Sequence, residues 1–451
     1  MERIERIEKL KVKVDHRQIL SIALPISVAI LIPQLNLLIN AIFLGHLSNE
    51  ALGNAGVTGV FYLIFAVAGH GMNSSMQSVF SGYAGSGDHN AFKIVLWQGI
   101  RISLQIAFIF ILFTWMIAPF ILKQVAEPHA YPAEMSFLNI RIIGLPFLFM
   151  FQMGNAFLIA SLNSRLLVFG FVIEALTNIL FDYLLIFGKM GMPQMGFNGA
   201  AVASVIAEFV GMLSVFFVLI FSGLKNNYNL FSDFAFDKKI SNKIYKISFP
   251  LILQYVLSLT TWLIFYILIE SKGPMAKAIS NTMRNVFGIA GIFIWAFAGT
   301  SNTMVSNLIG QKKYDMVIPV ITKISFWSAG FCIVIIALLN LFPQAFFELF
   351  GQSSTFTTEG LPVIRIVSCG LIFMSVANIW LNGLTGTGKT KINLFIEIAA
   401  ILLYLLYTYY FMNIHYVSLA MAWSNEFVYW VVIFFFSFFY MKSEKWKSIE
   451  S

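Results

Sequence analysis

RLLVFGFVIEALTNILFDYLLIFG, residues 165–188, decides how the chain is to be read. Between Arg165 and Gly188 lies an apolar run long enough to cross a bilayer as a helix, which takes about 20 residues. Two acids and an amide interrupt it: Glu174, Asp182 and, between them, Asn178. Their four-residue spacing puts them in one stripe on one helix face. A charge at the centre of a span costs about 2.5–3.5 kcal/mol on insertion scales, so an acid there is a functional residue by default.

The rest of the chain repeats this pattern. Of its 451 residues, 59% are hydrophobic and only 11% charged, against about 25% charged in soluble domains. Too much apolar surface is left for water to be the main solvent, so the sequence implies an all-α membrane protein. Twelve candidate spans follow: 18–44, 52–80, 93–122, 133–161, 165–188, 197–222, 244–269, 277–308, 317–345, 360–384, 391–412 and 416–441. Several exceed the bilayer thickness, which implies tilt, kinks or interfacial ends.

The net charge of +8 does not point to nucleic acid, because the basic residues sit in short gaps between apolar runs. Those gaps alternate. Placing the N-terminus inside puts Lys93, Arg165, the cluster Lys238, Lys239, Lys243 and Lys246, Lys312, Lys313, Lys389, Lys391 and Lys442 on one side. The other side keeps little beyond Lys123, Lys189, Lys272 and Lys277. Basic loops stay cytoplasmic, so the expectation is a multi-pass protein of the inner (plasma) membrane with both termini in the cytoplasm. The charged residues 1–17 read as a cytoplasmic lead-in, since no small-residue cleavage site follows them. Cys332 and Cys369 lie within apolar runs with no metal-ligand spacing, and the six histidines are scattered.

The two halves of the chain correspond. An offset of 225 places Pro25 on Pro250, Ala51 on Ala276 and Gly85 on Gly310. An offset of 223 places Asn155 on Asn378 and Ile173-Glu174 on Ile396-Glu397, and 218 places Glu208 on Glu426. The expected organisation is an N-lobe at 18–222, a cytoplasmic inter-lobe loop at 223–243, a C-lobe at 244–441 and a tail at 442–451. A six-helix unit repeated in parallel makes two pseudo-symmetric bundles, and transporters commonly place substrate at such a repeat interface.

Depth in the spans brings a set of polar side chains to one layer of the first half: Asn40 in span 1, Asn178 and Asp182 in span 5, and Ser204 in span 6. One carboxylate among neutral oxygens suits a hard cation, so H+ or Na+ is the expected coupling ion at Asp182 and Asn178, with no other cofactor. Gln34 and Asn36, deeper in span 1, and Arg284 in span 8 are candidate substrate-cavity residues. Pro25 and Pro33 interrupt the hydrogen bonding of span 1 and are its candidate hinge. Asn178 and Asp182 correspond to Ile401 and Leu405 in the second half, so this site belongs to the first half alone. Glu270 and Arg284 are placed to pair, and Glu208, Glu397 and Glu426 to pack between helices. Gly383-Leu-Thr-Gly-Thr-Gly-Lys389-Thr390 matches the phosphate-loop pattern but joins two spans, and that motif works only between a strand and a helix.

At these residues the chain resembles the multidrug and toxic compound extrusion (MATE) family, prokaryotic type. Ala23-Leu24-Pro25, Phe43-Leu44-Gly45-His46-Leu47 and Ala51-Leu52 are similar to its opening signature. Asn178 to Gly188, and Gly196-Phe-Asn-Gly-Ala-Ala-Val-Ala-Ser204, are similar to its fifth and sixth spans. Gly386-Thr-Gly-Lys-Thr390 resembles its turn after span 10. The resemblance implies a V-shaped pair of bundles exporting small organic cations against H+ or Na+ by alternating access. Asp182 and Asn178 match the family's first-lobe cation pair, and Ser204 keeps the hydroxyl of its span-6 threonine. Asn40 replaces an acid common there, and Ser258 stands about where other members carry an acid in span 7. Alternatives are a lipid-linked oligosaccharide flippase of the same superfamily, which would need a basic cavity, and a membrane-embedded transferase, which would need a buried His or paired acids. Membrane lipid and organic substrates are the expected partners of a monomer.

Overall fold

A computed structural model describes residues 10–224, 228, 230, 234–270, 272–348, 354–414 and 417–447. Twelve helices in it are long and apolar enough to cross a membrane. They are α1 (His16–Leu47), α2 (Asn49–Ser86), α3 (His89–Val125), α4 (Tyr131–Ala160), α5 (Arg165–Phe187) and α6 (Phe197–Phe221). The second half gives α7 (Lys238–Glu270), α8 (Pro274–Gly310), α9 (Val317–Leu341), α10 (Ser354–Gly386), α11 (Thr390–Tyr409) and α12 (Leu419–Lys442). The spans read from apolar residues are all present, and most helices run past them. A helix does not stop where hydrophobicity stops; it stops at a cap. Gly87, left-handed at φ 75°, ends α2, and the Asp88 carboxylate accepts from the Ala91 N–H to start α3.

α4 passes through a 3₁₀ turn at Ile142–Gly144, and α11 ends in a π turn at Tyr410–Ile414. Gly383 to Thr390 is the end of α10 and a turn into α11, with Gly388 at φ 78°. No strand exists among the described residues, so the context a phosphate loop requires is missing. Its glycines have a packing role instead. A Cβ on Gly386 would lie 2.6 Å from the Asn302 carbonyl oxygen of α8. Gly386→Ala is therefore expected to destabilise the protein by about 1–3 kcal/mol, the usual cost of overpacking. Thermal unfolding of the purified protein in detergent measures it.

The chain forms two compact units, one built on residues 28–252 and the other on 11–27 with 253–451. The sequence puts the break in the loop 223–243. The contacts put it inside α1, after Ser27, and inside α7, after Ile252. Each cut falls two residues beyond a proline, Pro25 or Pro250, at repeat-related positions.

The first unit grips the chain entering α7. From α3, Trp97 Nε1 donates to the Leu230 carbonyl (2.6 Å), Gln98 Nε2 to that of Ala235 (2.7 Å), and Arg101 to that of Phe234. Ser75 and Ser248 share a hydrogen bond of 2.6 Å, and Gly71 lets α2 approach the Ile252 backbone, where a Cβ would stand 2.9 Å from its Cα. The second unit grips the chain entering α1. Asn307 Oδ1 accepts from the Val12 N–H (3.1 Å), Gln311 Nε2 donates to the Val12 carbonyl (3.2 Å), and Lys323 Nζ to that of Val14 (3.0 Å). A buried core around Phe265, Met283, Cys332, Phe347, Val367 and Trp423 fills the second unit. Large apolar side chains such as Phe120, Phe221 and Phe326 are exposed, as lipid contact requires.

Candidate functional site

In the first unit, α5 carries the stripe read from the sequence. Asp182 is fully buried at 0% exposure, and neither carboxylate oxygen has a hydrogen-bond partner among the described residues. Asn178, one turn away, is buried and accepts at Oδ1 from Asn36 Nδ2 of α1 at 2.7 Å. Its own Nδ2 is buried without a partner, as are Oδ1 of Asn36 and Oδ1 of Asn40. Asn155 of α4 is buried with both polar atoms unpaired. Buried polar atoms are normally satisfied, and several unsatisfied ones within one unit need a reason. The Asp182 carboxylate, one turn from the Asn178–Asn36 pair, is a donor that a proton or a hard monovalent cation can complete.

The structure joins Asn36 to Asn178 directly. Ser204 is half-buried on α6, and Gln34 and Pro33 are exposed on α1. Arg284 is exposed on α8 and forms no ion pair among the described residues. The side chain of Glu270, its expected partner, lies outside the described residues. α1 runs as one helix through Pro25 and Pro33.

A second cluster stands beside the stripe, and sequence reasoning missed its centre. Arg141 of α4 pairs with Glu208 of α6, Nη2 to Oε1 at 2.7 Å. The Tyr62 hydroxyl of α2 donates to the same oxygen at 2.8 Å, and the guanidinium lies 3.8 Å above the Tyr62 ring. Gly144 permits this, because a Cβ there would collide with Glu208 Oε2. Glu174 lies over Gly211 of α6, one turn from Glu208; a Cβ on Gly211 would be 3.1 Å from the Glu174 Cβ. Arg141 stands within electrostatic range of Glu174 and of Asp182. The signal for it was in the sequence: a base inside an apolar run demands an acid on a neighbouring helix.

In the second unit the repeat-related acids have neutral partners. Glu397 accepts from Ser258, from Tyr429 and from Gln254 Nε2 at 3.3 Å. Glu426 accepts from the Tyr404 hydroxyl at 3.3 Å and from Trp430 Nε1 at 3.2 Å. All three of Glu208, Glu397 and Glu426 do pack between helices of their own unit.

One family model, MatE, matches the chain twice, over residues 25–184 and 250–410, beginning at the two repeat-related prolines. The chain belongs to the MatE family. It is thus an integral membrane transporter and not an enzyme. Among its relatives, the probable multidrug resistance protein NorM of Thermotoga maritima is 21% identical over 386 residues, 85% of this chain and 82% of that protein. The multidrug resistance protein MdtK of Yersinia pseudotuberculosis is 22% identical over 306 residues, 67% of this chain and 66% of its own length. The MatE fold is matched by a crystal structure of a MATE in the straight conformation, with a TM-score of 0.88 and 15% identity over 98% of this chain and 99% of that one. A MATE in the bent conformation matches with a TM-score of 0.87 and 16% identity, over 98% of each chain.

Proposed function

We propose that this MatE protein is a secondary antiporter that exports small organic cations across the inner (plasma) membrane in exchange for H+ or Na+, by alternating access. The observation that carries the reading is Asp182, a fully buried carboxylate with no hydrogen-bond partner for either oxygen among the described residues. A buried charge is costly unless it is paired or neutralised, so a site with no built-in partner is suited to one that comes and goes. Asn178 on the same helix, with Asn36 and Asn40 on α1 and Ser204 on α6, supplies neutral oxygens. Multidrug export is supported by the names of the NorM and MdtK relatives, and cytoplasmic termini by the distribution of the basic residues.

In this reading the ionised site accompanies bound drug, and the arriving cation neutralises Asp182 as α1 bends near Pro25 and Pro33. The break between the compact units just after Pro25 supports that hinge. The cation acts only through a difference in its affinity for the two states. A lipid-linked flippase would need several bases free to hold pyrophosphate; of Arg141 and Arg284, the first is committed to Glu208 and only the second is left for that role.

Competition tests the reading. Ethidium binding to the purified protein is expected to weaken on acidification if H+ is the coupling ion, by up to about tenfold per pH unit for one competing proton. It weakens on adding sodium if Na+ is. Asp182→Asn is expected to abolish that dependence. Ethidium affinity indifferent to both ions would reject exchange at this site.

A further inference from the structure

The charges on the facing helices of the first unit do not balance: Asp182 and Glu208 are buried, and Glu174 and Arg141 are half-buried. Glu174, Asp182 and Glu208 are three acids, and Arg141 is the one cation in electrostatic range of Glu174 or Asp182 among the described residues. Arg141 is committed to Glu208 through Nη2 at 2.7 Å. Glu174 has no hydrogen bond to its carboxylate among the described residues and faces, besides Arg141, only another acid and the Tyr62 phenol, whose hydroxyl already serves Glu208. Fully ionised, the group would hold two uncompensated negative charges on buried and half-buried side chains between helices, which proteins avoid by pairing or neutralising them.

Two atoms give the unbalanced acid a way to exchange partners. Arg141 Nη1 and Glu208 Oε2 are both buried without a hydrogen-bond partner among the described residues. Glu208 is 4% exposed, so water does not easily serve it. Glu174 lies over Gly211, a turn from Glu208 on α6, with its Cδ where a Gly211 Cβ would be 3.4 Å away. The guanidinium is a fork with donors to spare, able to serve one carboxylate or the other.

We propose that Glu174 and Glu208 share the single counter-charge of Arg141, and that the pair holds one exchangeable proton in addition to the charge exchanged at Asp182. When Arg141 holds Glu208, the proton is on Glu174; when that proton leaves, Arg141 bridges the two carboxylates. The proposal rests on the reading of Asp182 as the coupling site. It deepens that reading by setting the count. Two positive charges entering for one monovalent organic cation leaving move one net charge inward, so membrane potential drives the cycle.

The test needs no drug. Proton uptake by the full chain in nanodiscs is titrated from alkaline to acidic pH, while infrared difference spectra follow the carbonyl band of protonated carboxylic acids. Asp182→Asn is expected to remove one such band and Glu174→Gln another, with one proton fewer taken up. Glu208→Gln is the decisive variant, because it frees Arg141 to pair with Glu174. It is expected to remove the same band as Glu174→Gln, although Glu174 is intact. Wild-type bands and uptake in both glutamine variants would overturn the proposal. Loss in Glu174→Gln alone would overturn the sharing. Loss of the Asp182 band without change in the others, or the reverse, separates the two readings.

Discussion

Asp182→Asn is expected to abolish cation-driven export while leaving the amount of folded protein unchanged. The side chain is fully buried, and its two oxygens make no hydrogen bond, so replacing one by an amide nitrogen breaks nothing that holds α5 in place. What the change removes is the charge. An amide cannot be neutralised by a proton, and it offers a sodium ion one neutral oxygen in place of a carboxylate. With the coupling site neutral throughout, the ion has no difference in affinity there between the two ends of the cycle, and the gradient cannot act through it. Cells relying on the protein to exclude ethidium are expected to retain dye at the level of cells lacking it. Purified Asp182→Asn is expected to elute and melt as the wild type does. Undiminished, gradient-dependent export by the variant would remove Asp182 from the mechanism.

Arg141→Met has the larger expected effect on stability, about 3–5 kcal/mol, the usual result of removing one partner from a buried ion pair. The pair is 2.7 Å long with both side chains largely enclosed, and the guanidinium also lies over the Tyr62 ring. Methionine fills much of the space but leaves Glu208 without its cation on a face closed by Gly144. Adding Glu208→Gln to Arg141→Met is expected to recover more than half of the loss, since the stranded charge is then gone. Thermal unfolding of the single and double variants measures both. A double variant as unstable as the single would mean that packing around Tyr62, rather than the charge, fixes α4 against α6.

The spans were legible because lipid asks for length and little else. The four-residue stripe Glu174, Asn178, Asp182 was legible because one helix carries all of it. Arg141 was not, because counting bases loop by loop assigns them to membrane faces and passes over one inside an apolar run. Its partner lies on another helix, and their meeting depends on Gly144 and on the 3₁₀ turn there, neither of which the sequence pattern announces. The break between the units was placed in the longest polar loop for the same reason. Polarity marks where a chain meets water, whereas the units divide where α1 and α7 change neighbours beyond Pro25 and Pro250.

The central claim is exchange, and the most direct measurement is the cation's own movement. Purified protein is placed in liposomes with an ethidium gradient and no imposed ion gradient, and internal pH and sodium are followed together. Ethidium moving down its gradient is expected to drive H+ or Na+ the opposite way, uphill, in the wild type and not in Asp182→Asn. Ethidium crossing with neither ion moving would contradict exchange.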